Sequence, residues 1–198
     1  MKKSLSHLPL NKKQELKRLK SIILKTVPTT EFIILFGSYA RGNWVDDKYM
    51  ENGIFYEYKS DFDILAITKN KESAGKEGPW MKIEHEYYGI FPDRTPIDII
   101  SHYIQKVNCR LKERQYFFTD IKKEGILLYN SGNFTLERAC KIDPQRRLEI
   151  ALEDFDQWYT SANDFLETSN FDFKRGKLKI SAFLLHQATE RFYHTAIL

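Results

Sequence analysis

Residues 11–27 place Leu16, Leu19, Ile22 and Ile23 at intervals of three and four among lysines and arginines. That spacing predicts an amphipathic helix, which Pro28 ends. Residues 31–36, EFIILF, form an apolar run rich in β-branched and aromatic side chains and predict a buried strand. Gly37-Ser38 breaks it, and residues 39–44 can begin a helix. Residues 45–58 mix acids with aromatics around Glu51-Asn52-Gly53, an Asn-Gly turn signal for a hairpin. Residues 62–68, FDILAIT, predict a second strand, and residues 69–79 a polar loop. Residues 80–90 fit a strand or a helix equally well. Residues 96–101, PIDIIS, predict a third strand, and residues 102–113 lead into a helix reaching about Ile121. Residues 125–129 are a short apolar strand closed by Asn130-Ser131-Gly132.

Beyond Asp143-Pro144 the strand signals stop. Asp143 is placed to cap a helix with Pro144 at its first position. Leu148, Leu152, Phe155, Trp158, Tyr159, Ala162, Phe165 and Leu166 follow at helical spacing. Residues 170–176 read as a loop, and residues 177–198 as a second helix, apolar over most of its circumference. The pattern predicts an α+β chain with a boundary at residues 132–143. Residues 1–135 are expected to form one domain of strands and helices with an N-terminal helix, and residues 143–198 an all-helical segment. Two helices cannot bury apolar residues on both sides. The helical segment therefore reads as incomplete, or as packed on another subunit, and a homo-oligomer through these helices is expected.

The 198 residues, 42% hydrophobic and 29% charged, exclude a disordered chain. No apolar run approaches the roughly 20 residues of a membrane helix. The opening MKKSLSHLPLNKK lacks a following apolar stretch, so neither membrane nor export is expected. A net charge of +4 is too mild to imply nucleic acid by itself. The basic residues from Lys12 to Lys25 read as a solvated face or as phosphate contacts, as does the cluster Lys174, Arg175, Lys177 and Lys179. Cys109 and Cys140 cannot build a disulfide framework or a four-ligand zinc site, and read as buried, reduced thiols of a cytoplasmic protein.

Three pieces carry candidate chemistry. Gly37-Ser38 follows a buried strand, Asp61 and Asp63 open the next strong strand, and Asp98 sits inside Ile97-Asp98-Ile99-Ile100. Side chains at i and i+2 on a strand share a face, so Asp61 and Asp63 converge. Converging carboxylates repel unless a cation or proton joins them. Hard oxygen donors favour Mg²⁺ or Mn²⁺. Asp98, flanked by isoleucines, needs a partner, and as a third acid it completes a two-metal site for displacement at phosphorus. A glycine after a strand lets the backbone approach a ligand closely, and the following helix start offers N–H groups to phosphate. The Ser38 hydroxyl adds a contact, and Arg41 another.

GSYARG at 37–42, SDFDIL at 60–65 and PIDII at 96–100 together resemble the polymerase-beta nucleotidyltransferase superfamily, closest to its minimal nucleotidyltransferases. KKEGILLYN at 122–130 is similar to the segment that closes that domain. The resemblance spans roughly residues 15–130. It implies a small mixed sheet with packed helices. It also implies Asp61, Asp63 and Asp98 as catalytic and metal-binding acids, Asp98 either binding metal or activating the acceptor hydroxyl. Gly37 and Ser38, with Arg41 beside them, would bind the nucleotide, the first two at the β- and γ-phosphates. The implied reaction moves a nucleoside monophosphate from ATP or another NTP to a hydroxyl of a protein, an RNA or a small molecule. The 22 residues between Ser38 and Asp61 exceed the family's usual spacer. The excess is the hairpin, read either as a flap or acceptor-recognition element or as a plain insertion.

Residues 146–198 resemble the start of a HEPN domain, through LEDFDQWYTSANDFL at 152–166 and LLHQATERFYHTAIL at 184–198. Ribonuclease members of that family carry an Arg and a His four to six residues apart, whereas Arg191 and His194 have two between them. His186, Glu190, Arg191 and His194 share part of one helix face, as a polar site between helices or as interface contacts. The pairing of the two resemblances also admits a regulatory, antitoxin-type or partner-binding protein as an alternative to an active transferase.

Overall fold

Strand-forming runs at the centre of the chain become a sheet whose two faces are both covered by helices. The computed structural model describes residues 1, 4–51, 53–90, 94–138, 140 and 143–197. It comprises two units, Met1–Cys140 and Lys141–Leu198. The first unit runs α1 (Leu10–Thr26), β1 (Thr30–Phe36), α2 (Gly37–Arg41), β2 (Asp46–Glu51), β3 (Ile54–Lys59), β4 (Phe62–Thr68), α3 (Lys71–Gly75), α4 (Glu77–Ile90), β5 (Ile97–Tyr103), α5 (Ile104–Lys112), α6 (Tyr116–Glu124) and β6 (Ile126–Asn130). The second holds α7 (Pro144–Lys174) and α8 (Leu178–Ile197). The fold is α+β, with a small mixed sheet and C-terminal helices.

The sheet order is β5-β4-β1-β6. β1 pairs antiparallel with β4 and β6, whereas β4 and β5 run parallel. Alternation along the strands divides the core. Ile33, Leu35, Ile64 and Ala66 join Leu16, Leu19, Ile22 and Ile23 of α1 and Ile83 and Tyr87 of α4. Phe32, Ile34, Leu65 and Ile67 join Ile104, Val107 and Leu111 of α5 and Phe118 and Ile121 of α6. β2 and β3 form a separate two-stranded sheet. Gly53 supplies its positive φ of 76°, and Asn52 of the expected turn lies outside the described residues.

Several expectations need correction. Residues 71–75 are helical because Asn70 caps them, its side chain accepting the Ser73 N–H at 3.0 Å. Residues 77–90 are also a helix. Pro79 falls in its first turn, where no intrahelical N–H is required, and Trp80, Ile83 and Tyr87 face the core. The helix expected to run through residue 121 is two helices, broken at Arg114 with φ 57°. Residues 170–174, read as loop, continue α7. Asp143 stands at the N-cap of α7 but its side chain makes no cap hydrogen bond. Both cysteines are free and exposed rather than buried.

Lys12, expected on a solvated face, is only 5% exposed. Its amine donates to Thr95 Oγ1 at 2.7 Å and pairs with Asp46 at 3.4 Å. One turn on, Glu15 accepts from the Tyr87 hydroxyl and the Thr95 N–H. This buried polar cluster ties α1 to the foot of β2 and to the segment before β5, and pairing makes its burial tolerable.

The helical unit has its apolar residues the wrong way round for an isolated pair. Its buried residues are small or polar: Ala162, Ser169, Asp172, Ser181 and Ala188. Leu148, Leu152, Phe155 and Tyr159 form an exposed stripe on α7, and Phe183, Leu185 and Tyr193 stay exposed on α8. Ser169 Oγ donates to the Ser181 carbonyl at 2.8 Å across the seam. Among the described residues no helix is long and apolar enough to cross a membrane.

Candidate active site

The sequence GSYARG builds a single turn with a glycine at each end. Gly37 has φ 68° and Gly42 φ 90°, conformations that side-chain-bearing residues avoid. Gly42 ends α2 in the left-handed region, its N–H returning to the Ser38 carbonyl at 2.9 Å. Gly37 is needed twice over. A Cβ there would sit 2.7 Å from Cγ of Asp63 and nearer still to its Oδ2. The glycine thus lies directly against the carboxylate, which the register of Phe36 with Asp63 brings alongside.

Asp61 stands immediately before β4, and Asp63 is its second residue. On the parallel neighbour Asp98 is the register partner of Asp63. Alternation puts Asp63 and Asp98 on the sheet face that also carries Leu65, Ile67 and Ile100, at the end away from that core. The Pro96 carbonyl accepts the Phe62 N–H at 2.8 Å and aligns the two strand starts. Asp61 and Asp98 are exposed, and Asp63 is half-buried. Asp98 therefore does not need the buried partner its isoleucine neighbours implied, because β5 is an edge strand and the carboxylate faces solvent.

Burial pushes the Asp63 carboxyl up to about 6, and the negative charges of Asp61 and Asp98 push the same way, while Arg41 opposes them. Among the described residues no three His, Cys, Asp or Glu side chains are gathered closely enough to hold a metal ion. Carboxylates without a cation between them keep apart. The set nonetheless suits Mg²⁺ or Mn²⁺: its donors are hard oxygens, and the crowded charge at Asp63 favours an added cation.

The site has neighbours that sequence reasoning missed. Tyr116 opens α6 and is 78% exposed, with a hydrogen bond to Asp120 raising its phenol. The charge of Arg41 reaches both Tyr116 and Asp63, and Phe117 packs edge-on against Phe36 at 5.6 Å. The first turn of α6 therefore flanks α2. No residue pattern announces this, because the break at Arg114 contains neither glycine nor proline.

In the helical unit, His186 and Glu190 pair at 3.7 Å. Arg191 donates to Ser161 Oγ and to Gln187, and lies over the Phe165 ring at 4.0 Å. His194 stacks on Trp158 at 4.5 Å. These contacts account for Arg191 as a tie between α7 and α8.

No protein-family model matches the chain, and no curated protein matches it. Among solved structures, one similar chain comes from the complex of the tri-AMPylated Shewanella oneidensis HEPN toxin with MNT antitoxin. It is 11% identical, covers 60% of this chain and 72% of that one, and has a TM-score of 0.35. A second belongs to a toxin–antitoxin structure with AMP-PNP, at 13% identity, 72% and 89% coverage and a TM-score of 0.37. A third is a candidate nucleotidyltransferase of Sulfolobus solfataricus, at 23% identity, 62% and 87% coverage and a TM-score of 0.32. Scores of this size leave the functional reading to rest on the chain's own residues.

Proposed function

We propose that this chain is a nucleotidyltransferase that moves a nucleoside monophosphate, AMP in the first instance, from an NTP to a hydroxyl on a protein, an RNA or a small molecule. The observation that carries the reading is the crowding of Asp63, pressed against Gly37 and raised to about 6 beside Asp61 and Asp98. Asp61, Asp63 and Asp98 would hold Mg²⁺ or Mn²⁺, which when bound neutralises charge on the phosphate oxygens. Gly37 and Ser38 take the β- and γ-phosphates, and Arg41 adds positive charge. The acceptor oxygen bonds to the α-phosphorus, the bond to pyrophosphate breaks, and the acceptor proton passes to Asp98. The exposed thiols suit a reducing compartment, and the reading places the chain in the cytoplasm.

Calorimetric titration of MgATP into the parent is expected to show binding that Asp61→Asn/Asp63→Asn abolishes. Equal or absent binding in both, with the other NTPs failing too, would reduce the acids to structure.

The exposed apolar stripes of α7 and α8 favour a second reading, in which a HEPN-like module binds a partner in an antitoxin-type system. The simplest partner is a second copy, forming a homo-oligomer through these helices. Light scattering is expected to show a mass that rises with concentration and falls to the monomer in Leu152→Glu/Phe155→Glu. A parent that is monomeric at every concentration would remove the homo-oligomer.

A further inference from the structure

The hairpin of β2 and β3 lies, in sequence, between the glycine turn and the acids of the candidate site and is solvated along nearly its whole length. Its register sorts its side chains into two unlike faces. Asp46 opposite Lys59, Lys48 opposite Glu57, and Met50 opposite Phe55 make one face, and Lys48 and Glu57 pair there at 3.0 Å. The other face sets Asp47 opposite Tyr58, Tyr49 opposite Tyr56, and Glu51 opposite Ile54. The Tyr49 and Tyr56 rings stack at 5.2 Å with 13° between their planes. Tyr49, Tyr56, Tyr58 and Ile54 are 40% to 66% exposed. An aromatic row flanked by carboxylates attracts cations, both by charge and through the ring faces.

The foot of the hairpin is fixed. Val45 N–H donates to Ser60 Oγ at 3.0 Å, and Ser60 N–H donates to the Val45 carbonyl at 2.9 Å. Asp46 is held by the buried Lys12. Ser60 leads straight into Asp61, so the fixed foot of the hairpin adjoins the first of the acids along the chain.

The geometry points to this face as the docking surface for an extended, basic polypeptide segment that carries lysine or arginine beside apolar residues. Three observations select that occupant. Between residues 46 and 59 the chain has four carboxylates against two lysines, in a protein of net charge +4, which favours a cation and repels nucleic acid. Each strand is six residues long, about 20 Å, so the row is matched by several residues of extended chain rather than by one small molecule. A two-stranded sheet also leaves one edge of each strand unpaired, and a polypeptide can complete such an edge with backbone hydrogen bonds. Delivery of that segment for nucleotidyl transfer rests on the function proposed above, whereas docking does not.

The test measures binding of three labelled probes by fluorescence anisotropy: a random lysine–tyrosine copolymer, a glutamate–tyrosine copolymer and a single-stranded oligonucleotide. The 198-residue parent is compared with Tyr49→Ser/Tyr56→Ser/Tyr58→Ser, which keeps the charge, and with Asp47→Lys/Glu51→Lys, which keeps the rings. The parent is expected to bind the lysine–tyrosine copolymer, each variant to bind it about tenfold more weakly, and the other probes to bind poorly. No binding by the parent, unchanged binding in the tyrosine variant, or equal binding of the oligonucleotide overturns the proposal. MgATP titration of the same proteins reads the nucleotide site separately. Its failure in the parent would strike the transferase reading, while the copolymer result would still decide the hairpin.

Discussion

Gly37→Ala is expected to cost about 3 kcal/mol of stability in urea unfolding. Part of that is the backbone: φ is 68° at this position, where a Cβ collides with its own chain. The rest is Asp63, whose carboxylate occupies the place a methyl group would take. The two parts separate in a double-mutant cycle. Asp63→Ala vacates the space, so Gly37→Ala should cost about 1–2 kcal/mol less on that background. Additive losses would mean that the glycine does not bear on the carboxylate. In the single variant Asp63 is also displaced, and MgATP binding should fall with stability.

Asp63→Asn is expected to do the reverse for stability. The folded-state value of about 6 lies above the ordinary 3.8, so the native protein holds this proton more tightly than the unfolded chain. Stability therefore declines as pH rises from about 4 to about 6 and stays reduced above. Asparagine cannot ionise and escapes that loss. The gain above pH 6 should be about 1–2 kcal/mol, after allowance for screening at a half-exposed group. It should vanish below about pH 4, where the parent carboxyl is protonated in both states. A gain that ignores pH, or a loss at pH 7, would show that burial and the neighbouring acids do not raise this carboxyl. A stability gain on removing a side chain that the proposed nucleotide site uses is the trade expected of a functional site.

The strands were legible because both central ones carry a run of four or five consecutive apolar residues, FIILF at 32–36 and ILAI at 64–67, and the hairpin because Asn52-Gly53 sits between aromatic flanks. Helix α4 was ambiguous, since Gly78, Pro79 and Gly89 obscure a pattern that only Trp80, Ile83 and Tyr87 carry. The break between α5 and α6 was hidden, because Arg114 adopts a positive φ with no glycine to announce it. Burial of Lys12 was equally hidden: its partners Asp46 and Thr95 are distant in sequence and meet only in the fold. At the site, Gly37, Asp63 and Asp98 were readable as types at a spacing. Their adjacency was not, because it depends on which strands pair and in what register.

The clasp between Val45 and Ser60 has a wider consequence. Its two hydrogen bonds already bring together the ends of the segment they enclose. Strand order, the glycine turn and the acids all lie outside that closed loop. Beyond Asp46, which must stay to pair with the buried Lys12, the hairpin is thus a cassette, exchangeable for a tight turn or a foreign loop at little cost to the scaffold. On the transferase reading proposed above, exchanging it would separate the choice of acceptor from the chemistry of the acids.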